Sequence, residues 1–477
     1  MAALLCETVT ATTMADLLAA RDAVTAADMV ELRLDGIRDA DVAGALAGRR
    51  LPAIVTCRAS WEGGRFDGSE EERRRVLEQA VASDAEFVDI EWRSGFTDLV
   101  RRDPQRIVLS SHDFTEMPAD LDGQARVMRS TGAGVIKIAA SPARLTDTLR
   151  LIDIGRQGGA VVIGMGDVGF PTRVLAGRFA SRWTYSGKAV APGQVPADRM
   201  LDDYAFHRAA TASRVFGVVS TNAMHSLSPV MHNAALAAAG IDAVYIPIPT
   251  ASFDDVLAFA DAMGIDGVSV TIPFKVDALR AATAPDDLAR AVGAANTLRR
   301  SADGWDATNT DVAGFVAPLE AAFGRPLRGA RASVVGAGGA ARAVMVALRE
   351  QGAVVTLHAR RAEQAAAVVA DLGGAVGEWP PPRGSWDLLV NCTPLGGVGK
   401  HDESPLPDGP FDGRLVYDLT YGRTASRLLA DATHAGCATL DGLPMLAAQA
   451  ERQFEWWTGQ RPPAGVMEAA LRTRICN

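Results

Sequence analysis

The chain has 477 residues, 48% of them hydrophobic, so it is too long for a single core and two or three domains are expected. Its net charge of −9 and its lack of a basic block argue against a nucleic-acid partner. No apolar run approaches the ~20 residues of a membrane span, and the N-terminus lacks the basic region of a targeting signal. The five cysteines form no CxxC pair, and no cluster has metal-ligand spacing. The composition therefore predicts a soluble, cytoplasmic protein without a metal site, and it leaves the oligomeric state open.

Residues 1–205 repeat one theme, in which a short β-branched run is followed by a polar loop and a helical pattern. The eight runs are LLCETVTA (4–11), DMVELRLD (28–35), PAIVTCR (52–58), EFVDIEW (86–92), RIVLSSHD (106–113), GVIKIAA (134–140), AVVIGMGD (160–167) and RFASRWTYS (178–186). Strands that alternate with helices are typical of a (β/α)8 barrel, whose active site lies at the carboxyl ends of the strands. The polar residues in or at the ends of these runs are Glu31, Arg33, Arg58, Glu91, His112 and Lys137.

A second α/β pattern follows a polar, helical join at 206–213, and we place the domain boundary near Ser213. The pattern begins with a strand at 214–220, a helix at 228–240 and a strand at 243–249. It restarts at 329–352 as a strand, a glycine turn and a helix, which is typical of a nucleotide-binding lobe.

Two lysines lie where the sequence predicts buried strands. Lys137 lies between isoleucines in GVIKIAA, and Lys275 closes the apolar run GVSVTIPFK (267–275). Lysine is rarely fully buried without a partner, and a desolvated amine is a candidate Schiff-base nucleophile or acid–base group. The alternative for each is a lysine whose stem lies along the strand end while its amine reaches solvent.

Several residues near Lys137 would serve an imine-forming reaction. An amine on the sixth strand could condense with a ketone, while His112 on the fifth strand could act as general acid and base. Glu62 could orient the imidazole, and Arg58 and Arg173 could bind a carboxylate or hydroxyls. Taken singly, His112 could equally be a structural histidine, and each arginine a solvated surface residue.

The segments of the first half resemble type I 3-dehydroquinate dehydratase over residues 1–200. They are ELRLDG (31–36), TCRASWEGG (56–64), SSHDF (110–114), VIKIA (135–139), PTR (171–173) and APGQ (191–194). The resemblance implies that Lys137 forms a Schiff base with the C3 ketone of 3-dehydroquinate. It also implies that His112, with Glu62 as its partner, takes the C2 proton and delivers it to the leaving C1 hydroxyl. The substrate-binding residues that it implies are Glu31, Arg33, Arg58, Arg173 and Gln194.

The run VVGAGGAARA (334–343) follows a strand and opens a helix, so its backbone N–H groups could face a pyrophosphate. Such a turn alone is a weak signal. After the next strand, an NAD enzyme would carry an acidic residue for the ribose hydroxyls, but this chain has Arg360 and Arg361. The arginines could be a solvated helix start, yet together with the turn they favour NADP(H) as cofactor.

Residues 214–477 resemble shikimate dehydrogenase. The matching segments are HSLSPVMHN (225–233), GVSVTIPFK (267–275), GAANTL (293–298), NTDVAG (309–314), VNCTPLG (390–396), YDLTYG (417–422) and DGLPMLAAQA (441–450). The resemblance implies a two-lobed unit, with an α/β substrate lobe over 214–315, a Rossmann NADP lobe over 316–450 and C-terminal helices over 451–477 that return to the substrate lobe. It implies that Lys275 and Asp311 are the acid–base pair. The implied substrate contacts are Ser226, Ser228, Thr271, Asn296, Tyr421 and Gln449, and the implied cofactor contacts are Gly336, Ala337, Gly338, Gly339, Ala340, Arg360, Arg361, Thr393, Leu419 and Gly442.

A few positions depart from the two family patterns. Val190 replaces a serine before APGQ, Ser269 replaces an asparagine in the 267–275 run, and Ala359 replaces an asparagine before Arg360. None is one of the residues expected to do chemistry, so we expect weaker contacts rather than lost activity.

The combined interpretation is a fused shikimate-pathway enzyme. It would dehydrate 3-dehydroquinate in the barrel and reduce 3-dehydroshikimate to shikimate with NADPH, with free small molecules as its partners. Three alternatives remain: a catabolic quinate dehydrogenase fusion that uses NAD, a non-catalytic regulatory derivative, and an aldolase-like barrel. The first conflicts with the arginine pair, the second with the presence of all four chemical residues, and the third with the nucleotide lobe.

Overall fold

The computed structural model describes residues 3–188, 190–397 and 399–476. They form two compact units, one made of residues up to 215 together with 246–264, and the other of 216–245 together with the chain from 265 onwards. Within the described part of the chain, no helix is both long and apolar enough to cross a membrane.

The first unit contains an eight-stranded parallel barrel. Its strands are β1 (Leu4–Thr10), β2 (Met29–Arg33), β3 (Ala53–Thr56), β4 (Phe87–Glu91), β5 (Ile107–Asp113), β6 (Val135–Ala140), β7 (Ala160–Gly164) and β8 (Trp183–Ser186). They lie in the order β7-β6-β5-β4-β3-β2-β1-β8. The backbone N–H of Arg182 donates to the carbonyl of Ala160 at 3.0 Å, which brings the start of β8 beside the start of β7. The predicted (β/α)8 barrel is therefore confirmed.

Helices follow the strands as the sequence pattern predicts. They are α1 (Met14–Ala23), α2 (Val42–Leu46), α3 (Glu70–Ala82), α4 (Thr97–Arg102), α5 (Leu121–Ser130), α6 (Thr148–Arg156), α7 (Phe170–Val174), α8 (Ala197–Asp202) and α9 (Phe206–Ala209). Helix α3 begins with a capping box in which Ser69 and Glu72 each bond the other's backbone N–H. The eighth strand is shorter than predicted, because Ala176–Phe179 forms a 3-10 turn and Ala180 takes a left-handed conformation (φ +59°).

The chain after the barrel forms two six-stranded sheets. The strands of the first are β9 (Arg214–Ser220), β10 (Ala243–Pro249), β11 (Gly267–Val270), β12 (Ala284–Pro285), β13 (Thr297–Ser301) and β14 (Gly304–Thr308), in the order β10-β9-β11-β13-β14-β12. Those of the second are β15 (Arg331–Val335), β16 (Val354–His358), β17 (Ala375–Val376), β18 (Leu388–Asn391), β19 (Leu415–Asp418) and β20 (Ala438–Leu440), in the order β17-β16-β15-β18-β19-β20. All pairs of the second sheet are parallel, as in a Rossmann lobe.

The remaining helices connect these strands. They are α10 (Ser228–Ala238), α11 (Phe253–Met263), α12 (Lys275–Ala281), α13 (Asp287–Val292), α14 (Asp311–Phe323), α15 (Gly339–Glu350), α16 (Ala362–Leu372), α17 (Arg427–His434), α18 (Leu443–Thr458) and α19 (Val466–Cys476). Helix α18 packs on α10 and α19, and Phe454 and Trp457 of α18 join one core with Phe216 and Met231. The two C-terminal helices thus pack on α10, the helix that follows β9.

Candidate functional sites

A cavity of about 70 Å³ lies among the carboxyl-terminal halves of the barrel strands. It is lined by every barrel residue that the sequence singled out as a site residue, namely Glu31, Arg33, Arg58, Glu62, His112, Lys137, Arg173 and Gln194. These residues come from positions up to 163 apart in the chain, and the barrel brings them to one place because its strands are parallel and in register.

Lys137 is buried, with 5% of its surface exposed, and its ammonium has three neighbours. Its Nζ lies 3.1 Å from Oδ2 of Asp89 and 3.5 Å from Oε1 of Glu31. The ring of Tyr185 lies below it, with the ring centre 4.2 Å from Nζ. The amine is thus held at the cavity wall rather than extended into solvent, which removes the alternative of a strand-end lysine that reaches water.

Arg58 faces the protein more than the cavity. Its guanidinium bonds Asp89 at 2.9 Å, Glu91 at 3.0 Å and Ser110 Oγ at 2.6 Å. Burial opposes its charge, but the carboxylates of Asp89 and Glu91 raise the pKa of Arg58. Burial would likewise raise the pKa of Asp89, yet the charges of Arg58 and Lys137 hold it below its usual value. Arg58 therefore keeps Asp89 ionised beside Lys137, in addition to any contact with substrate.

His112 and Glu62 form a close pair. Oε1 of Glu62 lies 2.9 Å from Nδ1 of His112 and also accepts the backbone N–H of His112 at 3.0 Å. The carboxylate accepts, so Nδ1 carries the proton and Nε2 is left as a base. Burial and the charges of Arg58 and Lys137 lower the pKa of His112 well below its usual value, which keeps the ring neutral. Burial raises the pKa of Glu62 to about 7.

Arg173 is a buried cation without a carboxylate partner among the described residues. Its guanidinium donates to the carbonyls of Tyr185 (3.4 Å) and Pro192 (3.0 Å), and its Nε has no partner. Burial lowers the pKa of Arg173 to about 10. Arg33, by contrast, is paired with Asp35 through two bonds of 2.7 and 2.8 Å. The unpaired guanidinium is the group in this cavity that most needs an anion.

A second cavity, of about 370 Å³, lies in the second unit. Its walls include the predicted residues Ser226, Ser228, Thr271, Lys275, Asn296, Asp311, Tyr421 and Gln449, together with Ala340, Thr393, Leu419 and Gly442. Lys275 Nζ bonds Oδ2 of Asp311 at 2.6 Å, and Oδ1 of Asp311 accepts from the amide of Asn296 at 2.8 Å. The carboxylate thus fixes the direction of the lysine amine.

Ser269, the departure in the 267–275 run, is part of a buried polar chain. The hydroxyl of Tyr245 donates to Ser269 Oγ at 2.6 Å, and Ser269 donates to Gln453 Oε1 at 2.8 Å. The Gln453 amide then donates to Thr297 Oγ1 at 2.9 Å and to the carbonyl of Asn296 at 3.2 Å. The serine is thus fully used inside the protein, where it supports the segment that carries Asn296.

The glycine turn between β15 and α15 has room for a nucleotide. Gly336 has a φ of +105°, and a Cβ there would meet Thr393 and Cys392 at 3.0 to 3.3 Å. A Cβ on Gly338 would meet nothing within 4 Å, so open space lies beside the first turn of α15. Ala337 lies between these two glycines, and a Cβ on Gly339 would meet the stem of Lys275 at 3.1 Å. Arg360 and Arg361 are exposed after β16, and neither forms an ion pair with the described residues. These residues fit the NADP(H) that the sequence predicts.

Comparisons with known proteins agree with the two folds and the two cavities. Residues 5–210 match the type I 3-dehydroquinase family, 218–298 match the shikimate dehydrogenase substrate binding domain, and 442–472 match the shikimate 5'-dehydrogenase C-terminal domain. The class of protein is therefore a dehydratase barrel joined to a dehydrogenase.

A relative that spans both parts identifies the family. The chloroplastic bifunctional 3-dehydroquinate dehydratase/shikimate dehydrogenase of Arabidopsis thaliana is 32% identical over 475 residues, which cover 92% of this chain and 78% of the relative. The chain belongs to the family of bifunctional 3-dehydroquinate dehydratase/shikimate dehydrogenases. It is an enzyme of the shikimate pathway, with a lyase and an oxidoreductase in one polypeptide.

The dehydrogenase part has further relatives. The shikimate dehydrogenase (NADP(+)) of Halobacterium salinarum is 42% identical over 270 residues, or 55% of this chain and 99% of that protein. A crystal structure of a shikimate dehydrogenase in complex with NADP+ matches with a TM-score of 0.51 and 30% identity, over 55% of this chain and 96% of that one. The prediction of NADP(H) as cofactor is confirmed.

Sequence reasoning missed several residues of the two sites. Asp89, Tyr185 and Thr8 contact or line the barrel cavity, and Gln453 supports the second one. Asp89 could have been found from Glu91, which the sequence did indicate, because residues two positions apart on a buried strand face the same side of the sheet. On the first strand, Thr8 lines the cavity, and its hydroxyl accepts from Gln194 Nε2 at 3.4 Å.

Proposed function

We propose that Lys137 is the amine that forms an imine with the C3 ketone of 3-dehydroquinate. The neutral amine adds to the ketone carbon, and the ketone oxygen leaves as water. A protonated imine draws electrons from the neighbouring carbon and so acidifies the C2 proton. Asp89 and Glu31, 3.1 and 3.5 Å from Nζ, hold this nitrogen and balance its positive charge.

His112 moves the proton in this proposal. Its free Nε2 takes the C2 proton, and the imidazolium then gives it to the C1 hydroxyl, which departs as water. Glu62, bonded to Nδ1 at 2.9 Å, fixes the tautomer and stabilises the imidazolium between the two transfers. One base therefore serves both proton transfers.

The substrate carboxylate binds to Arg173, because this guanidinium is buried without an anionic partner among the described residues. Arg33 and Gln194 lie on the same cavity wall and bind hydroxyls, while Arg58 supports the site through Asp89.

In the second cavity, Lys275 is the proton donor to the ketone oxygen of 3-dehydroshikimate. Bound NADPH supplies the hydride for this reduction. Lys275 stabilises the developing alkoxide and protonates it, and Asp311 orients the lysine amine through its 2.6 Å bond. Ser226 and Ser228 bind the carboxylate, and the ring hydroxyls are bound by Thr271, Asn296, Tyr421 and Gln449.

Arg360 and Arg361 would bind the 2′-phosphate of the cofactor, since these two exposed guanidiniums follow β16 without a carboxylate partner among the described residues. Gly336, Ala337, Gly338, Gly339 and Ala340 would hold the pyrophosphate of the cofactor, and Thr393, Leu419 and Gly442, which line the cavity, would contact it. We also propose the domain limits 1–205, 214–315, 316–450 and 451–477, with a linker at 206–213. We expect the enzyme to act in the cytoplasm on free small molecules, without a nucleic-acid partner.

The observation that carries the proposal is the burial of the Lys137 amine in one cavity with the His112–Glu62 pair. Borohydride added with 3-dehydroquinate should reduce the imine, inactivate the dehydratase and leave a covalent adduct on Lys137, while the reductase stays active. A peptide map that finds no adduct on Lys137 after treatment, with dehydration still running, would show that the imine lies elsewhere or does not form.

A further inference from the structure

Tyr185 is the neighbour of the Lys137 amine for which the two proposed reactions give no role. It lies on β8, and its ring centre is 4.2 Å from Lys137 Nζ, within the range of a cation–π contact. Its hydroxyl is buried and makes no hydrogen bond of normal geometry with the described residues. The contact that this side chain makes with the Lys137 amine is therefore made by its ring.

The ring remains uncharged at neutral pH. Burial, followed by the charge of Glu31, raises the pKa of Tyr185 well above its usual value. What the ring presents to Nζ is consequently the negative face of a neutral aromatic quadrupole.

The interactions that can stabilise the positively charged Lys137 nitrogen change when the imine forms. As an ammonium, Lys137 has three N–H donors for Asp89 and Glu31. When the nitrogen adds to the ketone carbon and water leaves, the protonated imine keeps its positive charge but only one N–H. Hydrogen bonding to the two carboxylates falls, whereas attraction to a π face needs no N–H.

The carboxylates are also partly committed to other groups. Asp89 bonds Arg58 at 2.9 Å and Ser110 at 2.6 Å, and Glu31 accepts from Thr56 at 3.0 Å. The two carboxylates therefore divide their hydrogen bonding between Lys137 and these other groups. The Tyr185 ring does not divide its contact with Nζ among such partners.

We infer that the Tyr185 ring stabilises the cationic imine on Lys137 through a cation–π contact, and so sets how much imine forms. This inference rests on the proposed function of Lys137. It makes the electron density of the ring, rather than its shape or hydroxyl, the property that matters.

Fluorination tests this inference because it withdraws ring electron density with little change in shape. In the full chain, Tyr185 is replaced by phenylalanine and by its mono-, di- and trifluoro derivatives. At one fixed pH, the fraction of protein trapped on Lys137 by borohydride with substrate is measured together with dehydratase kcat/KM. Circular dichroism of the same samples serves as the control for folding of the barrel, and reduction of 3-dehydroshikimate as the control for the rest of the chain.

Tyr185→Phe is the fluorine-free reference of the series, and it separates any contribution of the hydroxyl from that of the ring. The trapped fraction at limiting substrate and kcat/KM should then fall stepwise with each fluorine, by about three- to tenfold in total, while the reductase rate stays constant. A flat series with normal trapping would overturn the role of the ring and leave the imine intact. Absence of any Lys137 adduct in the unchanged chain would instead overturn the imine itself, and this inference with it.

Discussion

The loop after β6, the strand that carries Lys137, is held by a side chain from much later in the sequence. Asp255 on α11 belongs to the same compact unit as the barrel and is 1% exposed. Its carboxylate accepts the backbone N–H of Leu145 at 2.6 Å, and the N–H and hydroxyl of Thr146 at 3.2 and 2.6 Å. It thus caps the 3-10 turn Leu145–Asp147 that leads into α6.

The change Asp255→Ala removes all three acceptor contacts. Two backbone N–H groups lose their partners, and an unpaired buried donor costs about 1–3 kcal/mol. Allowing for partial access of water at Thr146, we expect the loop to lose about 2–4 kcal/mol of local stability. At about 1.4 kcal/mol per factor of ten, amide exchange should accelerate by roughly 30- to 1000-fold.

Hydrogen exchange read by mass spectrometry on peptides that cover 141–150 measures this directly. Asp254→Ala is the matched control, because Asp254 is the exposed neighbour on the same helix. If the two variants exchange at the same rate in these peptides, Asp255 does not hold the loop and the reasoning is refuted.

Three further predictions concern the sites and the chain as a whole. Burial raises the pKa of Glu62 to about 7 from 4.5, so the folded chain binds this proton more tightly than the unfolded chain, and the stability that Glu62 contributes falls as the pH rises from about 4.5 to 7. Glu62→Gln should remove this pH dependence, which amounts to up to about 3 kcal/mol in the free energy of unfolding measured by urea titration across that range. An unchanged slope in the variant would argue against a raised pKa. Arg360→Ala should narrow the preference for NADPH over NADH by about 1.5–3 kcal/mol in kcat/KM, and equal kcat/KM for both cofactors in the unchanged enzyme would contradict the assignment. Halves expressed from a cut near Ser213 should each keep their own activity. The barrel half lacks Asp255, so its amide hydrogens at 141–150 should exchange as fast as those of Asp255→Ala. Full protection of these amides in the barrel half would contradict the anchoring role of Asp255.

Much of the fold could be predicted, because the residues of each short strand themselves indicate whether that strand is buried. The run GVIKIAA at 134–140 became β6 at Val135–Ala140, since isoleucine and valine on both sides of a strand need cover on both faces. The eighth run was predicted too long, because nothing in RFASR indicates that Ala180 takes a left-handed turn. Such a conformation is imposed by the packing around it and is uncommon for alanine.

The sites could be predicted only in part, for a related reason. Lys137 and His112 stand out because their residue types are unusual in apolar strands, and the resemblance to known enzymes gave them roles. Tyr185 did not stand out, since an aromatic residue in a strand is ordinary until its ring is found 4.2 Å from an amine. Asp255 did not either, because a buried carboxylate on an amphipathic helix is recognised only from the backbone N–H groups that it meets, 109 and 110 positions away.

The most direct test of two separate sites in one chain is to supply the purified protein with 3-dehydroquinate and NADPH and to follow the conjugated enone and the loss of NADPH together. The unchanged protein should form the enone and then consume NADPH. Lys275→Ala should accumulate the enone without consuming NADPH, and Lys137→Ala should do neither yet still reduce added 3-dehydroshikimate. If either single change silences both reactions while circular dichroism shows a folded protein, the two reactions share one site and the account is wrong.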